Sequence, residues 1–559
     1  MVIICYYYIV FSEEYIKIKT IFSERKEEEI MEIKVLSSLA KVFCNEICGE
    51  YEIDTLSCLK KERTSFVIAV KPGKDTEATF DTDCKNLKIF KIVFVPAEHL
   101  ADDDRDDYYV RNAMKGYYPD VLVPLDGALS LKANEWTAVW CEYTAENEKN
   151  VSVTVKTSET EETVTLKTEI ASASLDEQTL TCTHWFHSDC LADFYNVPVW
   201  SEEHWKYIEN FMKAANEHGI NFILTPLFTP PLDTEVGGER TTVQLVDVKR
   251  YNYQYTFGFD KLKRWIDLAF SCGMKYIEFS HLFTQWGAAH APKIMAETTD
   301  GYKRIFGWET NAQGKRYVDF LRQFAKALIE FIDKEGIRDR VMFHTSDEPS
   351  TEHLVKYRRS ALLMKELFGD FKIIDALSSF VFYQTGLIKT PVPCLDHIER
   401  FAGKVPELWT YYCCGPYKEY MPNRFIAMPS LRNRVLGFVM YHYDVKGFLQ
   451  WGLNFYNTQY SKEHINPFEV TDAGGKFPAG DSFVLYPAED GTAYASLRFK
   501  VFYDAIQDYE ALRLLEKKIG REKVLEILNE GLDTPIDNKN YPHSEKWLIE
   551  KRRQINSML

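Results

Sequence analysis

Two carboxylates stand side by side at Asp347 and Glu348, inside His344-Thr-Ser-Asp-Glu-Pro-Ser350 and just after the apolar run Val341-Met342-Phe343. Paired acids can protonate a leaving oxygen and deprotonate water, the two proton transfers that cleavage of a glycosidic bond requires. Pro349 biases Glu348 away from the right-handed helical region. The pair is therefore expected where a strand has ended and a helix has not begun, the place where α/β barrels gather their catalytic side chains. A surface turn uses the same residue types, so the surroundings must decide.

An ordinary retaining glycosidase needs carboxyls about 5–5.5 Å apart on opposite sides of the anomeric carbon. Neighbours in an extended chain point in opposite directions and do not converge that way. Substrate assistance fits better: Glu348 protonates the leaving oxygen, while Asp347 orients a 2-acetamido group whose own carbonyl attacks the anomeric carbon. Asp347 then stabilises the charge on the oxazolinium nitrogen, and Glu348 deprotonates water, with retention. A competing assignment makes Glu278 a protein nucleophile. A third reading, from another class, is a carbohydrate-binding protein without turnover.

The elements around the pair suggest a barrel. Residues 31–175 read as a β-sandwich, with alternating or β-branched runs at Ser65–Val70, Leu87–Val95, Glu135–Tyr143, Val151–Val155 and Thr163–Leu166. Residues 176–488 alternate between strands and helices. Eight strands are expected at Thr181–Phe186, Asn221–Thr225, Tyr276–Ser280, Val341–Phe343, Lys372–Ala376, Pro393–His397, Leu408–Tyr412 and Gly447–Trp451. Eight with helical spacers is the count of a (β/α)₈ TIM-type barrel. Residues 489–559 read as a helical segment packed on it. The strand ends carry His281, Trp286, Tyr383, Tyr411, Trp451 and Asn454, an aromatic wall with a few hydrogen-bonding groups that suits a sugar.

The chain has 559 residues, 14% of them aromatic, and a formal charge of −16. That charge argues against a nucleic-acid surface, which needs a basic patch. Twelve cysteines without repeating spacing read as free thiols in a reducing compartment. His184, His187 and Cys190 offer three donors where a closed zinc site needs four, so neither metal nor cofactor is expected. Val2–Phe11 is apolar but too short to span a bilayer and lacks the basic start of a signal peptide. Residues 1–30 read as a non-native or disordered extension, and the protein as cytoplasmic without a membrane partner. The oligomeric state stays open.

Ser346-Asp-Glu-Pro349 after a strand, Gly447-Phe-Leu-Gln-Trp451 with Asn454, and Arg498 with Asp508-Tyr-Glu510 together resemble glycoside hydrolase family 123 and the wider group catalogued as domain of unknown function 4091. The resemblance runs from about Tyr117 to Leu515. It implies a retaining exo-β-N-acetylgalactosaminidase with a β-sandwich ahead of a (β/α)₈ barrel. Carried over, Asp347 orients the acetamide and Glu348 is the acid/base. Arg434 would contact sugar hydroxyls and Trp451 would form the floor under the ring, with Tyr411, His344 and Asn454 as further contacts. Phe228–Thr234 and His281–Ala288 depart from the family pattern, so the sugar is less firmly implied than the mechanism.

Overall fold

The computed structural model describes residues 31–559. The segment read as a non-native or disordered extension lies outside the described residues.

The chain has a mixed α/β fold, sheet-rich at the start and helical at the end. Two five-stranded sheets come first. One has the spatial order Glu32–Ser37, Arg63–Lys71, Thr137–Thr144, Leu87–Ala97, Gly116–Pro124, all antiparallel. The other runs Thr55–Lys60, Glu161–Ser174, Asn150–Lys156, Thr76–Asp81, Leu129–Leu131. Strand alternation sends Phe66, Ile68 and Val70 into an apolar layer with Val139, Cys141, Val151, Val153 and Val155 from both sheets. Val67 and Ala69 face the other way, into the main core. The central strand is thus buried on both faces, which explains its unbroken apolar run.

Eight parallel strands follow: β1 (Thr181–His184), β2 (Phe222–Thr225), β3 (Tyr276–Phe279), β4 (Val341–His344), β5 (Lys372–Ala376), β6 (Thr390–Val392), β7 (Leu408–Tyr411) and β8 (Val445–Gln450). They form two sheets, β2-β3-β4-β5-β6 and β1-β8-β7. At one margin Asn221 N donates to Cys182 O at 3.1 Å. At the other, Tyr411 N donates to Pro393 O at 3.1 Å. Phe222, Leu224, Met342, Ile374, Val392, Trp409 and Leu449, from six of these strands, share one apolar cluster. Gly447 admits the Trp409 indole, whose ring carbons lie only 2.1–2.4 Å from where a Cβ would stand.

The sixth strand differs from the expectation. It ends at Val392, and Leu395–Arg400 is a 3₁₀ turn. Leu395 and Ile398 are buried, a spacing of three that suits a 3₁₀ turn and not strand alternation.

The spacers follow helical periodicity. In α1 (Glu202–Asn216) Trp205, Ile208, Phe211, Met212 and Ala215 are buried, and the Ser201 hydroxyl caps the start by accepting from His204 N. Next come α2 (Asp260–Ser271), α3 (Lys315–Glu335) and α4 (Leu354–Phe368). A four-stranded sheet, in the order Gln254–Gly258, Asp247–Tyr251, Ile294–Thr298, Gly301–Phe306, is built from the loops after β2 and β3. The sequence did not announce it, because its strands are short and mostly polar.

The long helix α5 (Leu497–Ile519) is buried on nearly every side. Its buried charges are paired. Arg498 pairs with Asp120 at 2.8 Å, Lys500 with Glu142 at 2.6 Å, and Asp508 with both Arg434 and Arg552 at 2.8 Å. Arg552 lies on α6 (Glu545–Ser557) and also pairs with Glu62 at 2.8 Å. Among the described residues no helix is long and apolar enough to cross a membrane.

Candidate active site

The loop after β4 carries the acid pair and is pinned from three sides. Asp375 on β5 accepts from Thr345 N at 3.1 Å and Ser346 N at 3.0 Å. Its other oxygen takes the Tyr357 hydroxyl at 2.6 Å. The Ser346 hydroxyl donates to Thr284 O at 2.9 Å. Glu348 N donates to Ala376 O at 3.0 Å, and Trp286 N to Asp347 O at 2.9 Å.

Held this way, Glu348 adopts φ +43°, a left-handed conformation that costs a residue other than glycine roughly 1–3 kcal/mol. The expectation of an extended pair is therefore corrected. The proline does exclude the right-handed helix, but the chain turns left-handed. Both carboxylates then line a single cleft.

Burial, with Glu348 and Asp375 nearby, holds Asp347 well above the ordinary carboxylate range. Glu348 is open to the cleft but enclosed by protein around it, and this desolvation pushes it up to about 7. The Tyr411 hydroxyl donates to Glu348 Oε1 at 2.5 Å and works against that rise. Acids tuned toward neutrality suit proton transfer at working pH.

Of the residues singled out from sequence, Trp286, Tyr411 and Trp451 line the cleft with the acids. Trp451 is fixed by its indole N–H, which donates to Asp481 Oδ2 at 3.0 Å. Trp286 is 39% exposed and meets Tyr460 edge to face at 5.9 Å.

The others stand elsewhere. Arg434 is a correction: its guanidinium is spent on Asp508, where α5 needs a cation, and it does not line the cleft. Asn454 is fully buried, exchanging amide hydrogen bonds with the backbone of His187. Tyr383 packs beside Phe380, outside the cleft lining.

His344 and His281 lie beneath the floor. His344 Nε2 is 2.6 Å from Glu278 Oε1, and Nδ1 is 3.7 Å from Asp375. Burial opposes its charge, yet Asp375 and Glu278 raise its pKa to about 9, so it is an imidazolium at neutral pH that braces the carboxylate anchoring the acid loop. His281 lies against it, tilted, with centroids 4.4 Å apart, and among the described residues neither of its buried ring nitrogens has a hydrogen-bond partner.

Glu278 is fully buried, with its oxygens taken by Thr183, Trp185 Nε1 and His344, a poor place for a nucleophile. His281, His344 and Asp375 bring ligand atoms within 4.8 Å of one another. Asp375 and one nitrogen of His344 are already engaged, so the trio fits a bracing network better than a metal. The histidines and cysteine weighed from sequence do not assemble: His184 meets Arg424, whereas His187 meets Arg240.

The sequence reading missed Asp233, Gln285, Tyr460 and the neighbouring Cys413 and Cys414, all on the cleft wall. Asp233 accepts from Tyr460 N at 3.0 Å, and burial pushes it up to about 6. Its only signal was its place within the long loop after β2.

The family model for the glycoside hydrolase 123 catalytic domain matches residues 185–515, more than half of the chain. Among solved structures, a family 123 glycoside hydrolase from Clostridium perfringens is 16% identical, with 94% of this chain and 98% of that chain covered and a TM-score of 0.71. An FMN-binding β-glucuronidase from Facaelibacterium prausnitzii L2-6 is 10% identical over 78% of this chain and 59% of its own, with a TM-score of 0.31. No curated protein matches the sequence. A cleft with two adjacent acids, one of them tuned to neutrality, thus sits inside the matched segment, and the chain belongs to glycoside hydrolase family 123.

Proposed function

We propose that the protein is a retaining exo-glycosidase that removes β-linked N-acetylgalactosamine, or a related 2-acetamido sugar, by substrate assistance. The observation that carries this is the shared cleft: Asp347 and Glu348 open into it together, while Glu278, the competing nucleophile, is sealed beneath it. Protonated Glu348 gives its proton to the leaving oxygen, and Tyr411 steadies the carboxylate that results. Asp347 holds the acetamide N–H so that the acetamide carbonyl closes on the anomeric carbon. Glu348 then takes a proton from water, and the oxazolinium opens with retention. Trp451 is the platform under the sugar.

The eight parallel strands are read as a (β/α)₈ barrel. The hydrogen bonds at both sheet margins and the cluster shared by six strands support that closure. The division into residues 31–175, 176–488 and 489–559 and a cytoplasmic location belong to the same proposal. The Clostridium perfringens relative is described as hydrolysing glycolipid glycans, which makes such glycans a substrate class to try here.

The test is a panel of 4-nitrophenyl N-acetylgalactosaminide, N-acetylglucosaminide and galactoside, with Glu348→Gln beside the wild type on a substrate with a poor leaving group. The first glycoside should be cleaved fastest, and the variant should lose about 10²–10⁴-fold in kcat. Equal rates on the plain galactoside, or an unimpaired variant, would overturn the reading. A thiazoline that mimics the cyclised intermediate should bind tightly.

A further inference from the structure

Three loops, each following a parallel strand, meet at Asp233 on the cleft wall. Asp233 lies in the loop after β2, Gln285 in the loop after β3, and Tyr460 and Ser461 in the loop after β8. The Asp233 N–H donates to Gln285 Oε1 at 2.8 Å, and its carbonyl accepts from the Ser461 hydroxyl at 2.7 Å. Its Oδ2 accepts from Tyr460 N at 3.0 Å. The residue is thus held at three points, while Oδ1 has neither a hydrogen-bond nor an ion-pair partner among the described residues. Asp233 is half-buried and lines the cleft.

The backbone is strained at this junction. Asp233 has φ +37°, and the neighbouring cleft residues Trp286 and Tyr460 have +58° and +64°. Residues other than glycine persist there only where surrounding contacts over-determine them, as happens at ligand clamps. Gln285 lines the same wall. It is 5% exposed, and its amide nitrogen has no hydrogen-bond partner among the described residues. Buried donors are nearly always bonded. A donor left over on a cleft wall, next to a residue with a free carboxylate oxygen, matches a hydroxyl, which accepts from an N–H and donates to a carboxylate at once.

We propose that Asp233 and Gln285 determine which sugar the cleft accepts, by holding a ring hydroxyl between the Asp233 carboxylate and the Gln285 amide nitrogen. The hydroxyl donates to Oδ1 and accepts from Nε2. This assignment rests on the reading of the cleft as a site for a 2-acetamido sugar. In that reading Asp347 and Glu348 serve C1 and the acetamide at C2, which leaves the hydroxyls at C3, C4 and C6 for Asp233 and Gln285. A sugar with hydrogen at the recognised position leaves both polar groups unpaired, and sites built to bond a hydroxyl reject such analogues.

The test reads binding, so it needs no turnover. Titration calorimetry on the full-length protein with N-acetylgalactosamine and its 3-, 4- and 6-deoxy analogues should reveal one position whose loss weakens binding about 10–100-fold. Asp233→Asn keeps an oxygen for Tyr460 N and suits a left-handed backbone, where asparagine is common, so its melting temperature should not change. In this variant the parent sugar should bind more weakly, and the ratio between parent and that deoxy analogue should fall towards one. Gln285→Glu keeps the acceptor for Asp233 N and removes the donor, and it should lose discrimination at the same position. Equal weakening of all four sugars, the mark of a residue that only shapes the loops, would overturn the proposal, as would discrimination unchanged in both variants. Sugar binding without cleavage of any glycoside would sink the hydrolytic mechanism alone. No binding of N-acetylgalactosamine to the wild type would sink both.

Discussion

Glu348 owes its tuning to opposing influences: the protein that encloses it, and then the Cys413 sulfur, raise its pKa, and the Tyr411 hydroxyl pulls it back by bonding the charged form. As the acid in the first step, Glu348 must carry its proton. Activity is therefore present below its pKa and falls as pH rises through about 7, although the limb belongs to the coupled acids together. Tyr411→Phe removes the bond that favours the carboxylate, so the alkaline limb of kcat/KM should move to higher pH, which a pH–rate profile measures. An unmoved or lowered limb would contradict the assignment. At this scale the sequence was legible where chemistry and chain order coincide, as in Asp347-Glu348, Tyr411 and Trp451. It misled where a residue's partner is far along the chain. Arg434 precedes a strand end as a substrate ligand would, yet its partner Asp508 is 74 residues on, and no local pattern reveals that.

The strands were readable from apolar runs and β-branched residues, and seven of the eight parallel ones overlap their expected positions. β6 was displaced because Thr390-Pro-Val-Pro-Cys394 breaks the pattern with two prolines and leaves a strand of only three residues. The extra four-stranded sheet was hidden for a related reason: it carries Tyr251 and Tyr302 exposed and so lacks the alternation that marks a half-buried strand. One contact lets an element be tested directly. Gly447 on β8 lies under Trp409 on β7, and Gly447→Ala would place a methyl inside the indole. The expected loss is about 1–3 kcal/mol or more, read as a lowered denaturation midpoint. An unchanged midpoint would show that β7 and β8 can part.

At the scale of the molecule, the mixed α/β character, sheet-rich at the start and helical at the end, came through from composition and element order, while the role of α5 did not. The sequence reads it only as part of a helical segment packed on the barrel, whereas nearly every side of it is covered. It meets the first sheet through Arg498–Asp120 and Lys500–Glu142, the start of β1 through Glu510, which accepts from Thr179 N and Leu180 N, and the segment before β8 through Asp508–Arg434. Because breaking one partner of a buried pair costs about 3–5 kcal/mol, Asp120→Ala should lower the melting temperature of sheets and parallel strands together. Calorimetry should show one transition moving; two transitions of which only the first moves would mean that α5 does not couple the halves. The position of α5 along the chain then has a bearing on biosynthesis. Its charged partners, from Asp120 to Arg434, leave the ribosome between 378 and 74 residues earlier and must wait with their charges unanswered. Assembly is completed from the far end of the polypeptide, so a nascent chain stalled before residue 497 should remain protease-sensitive and chaperone-bound throughout, even with its entire cleft already translated.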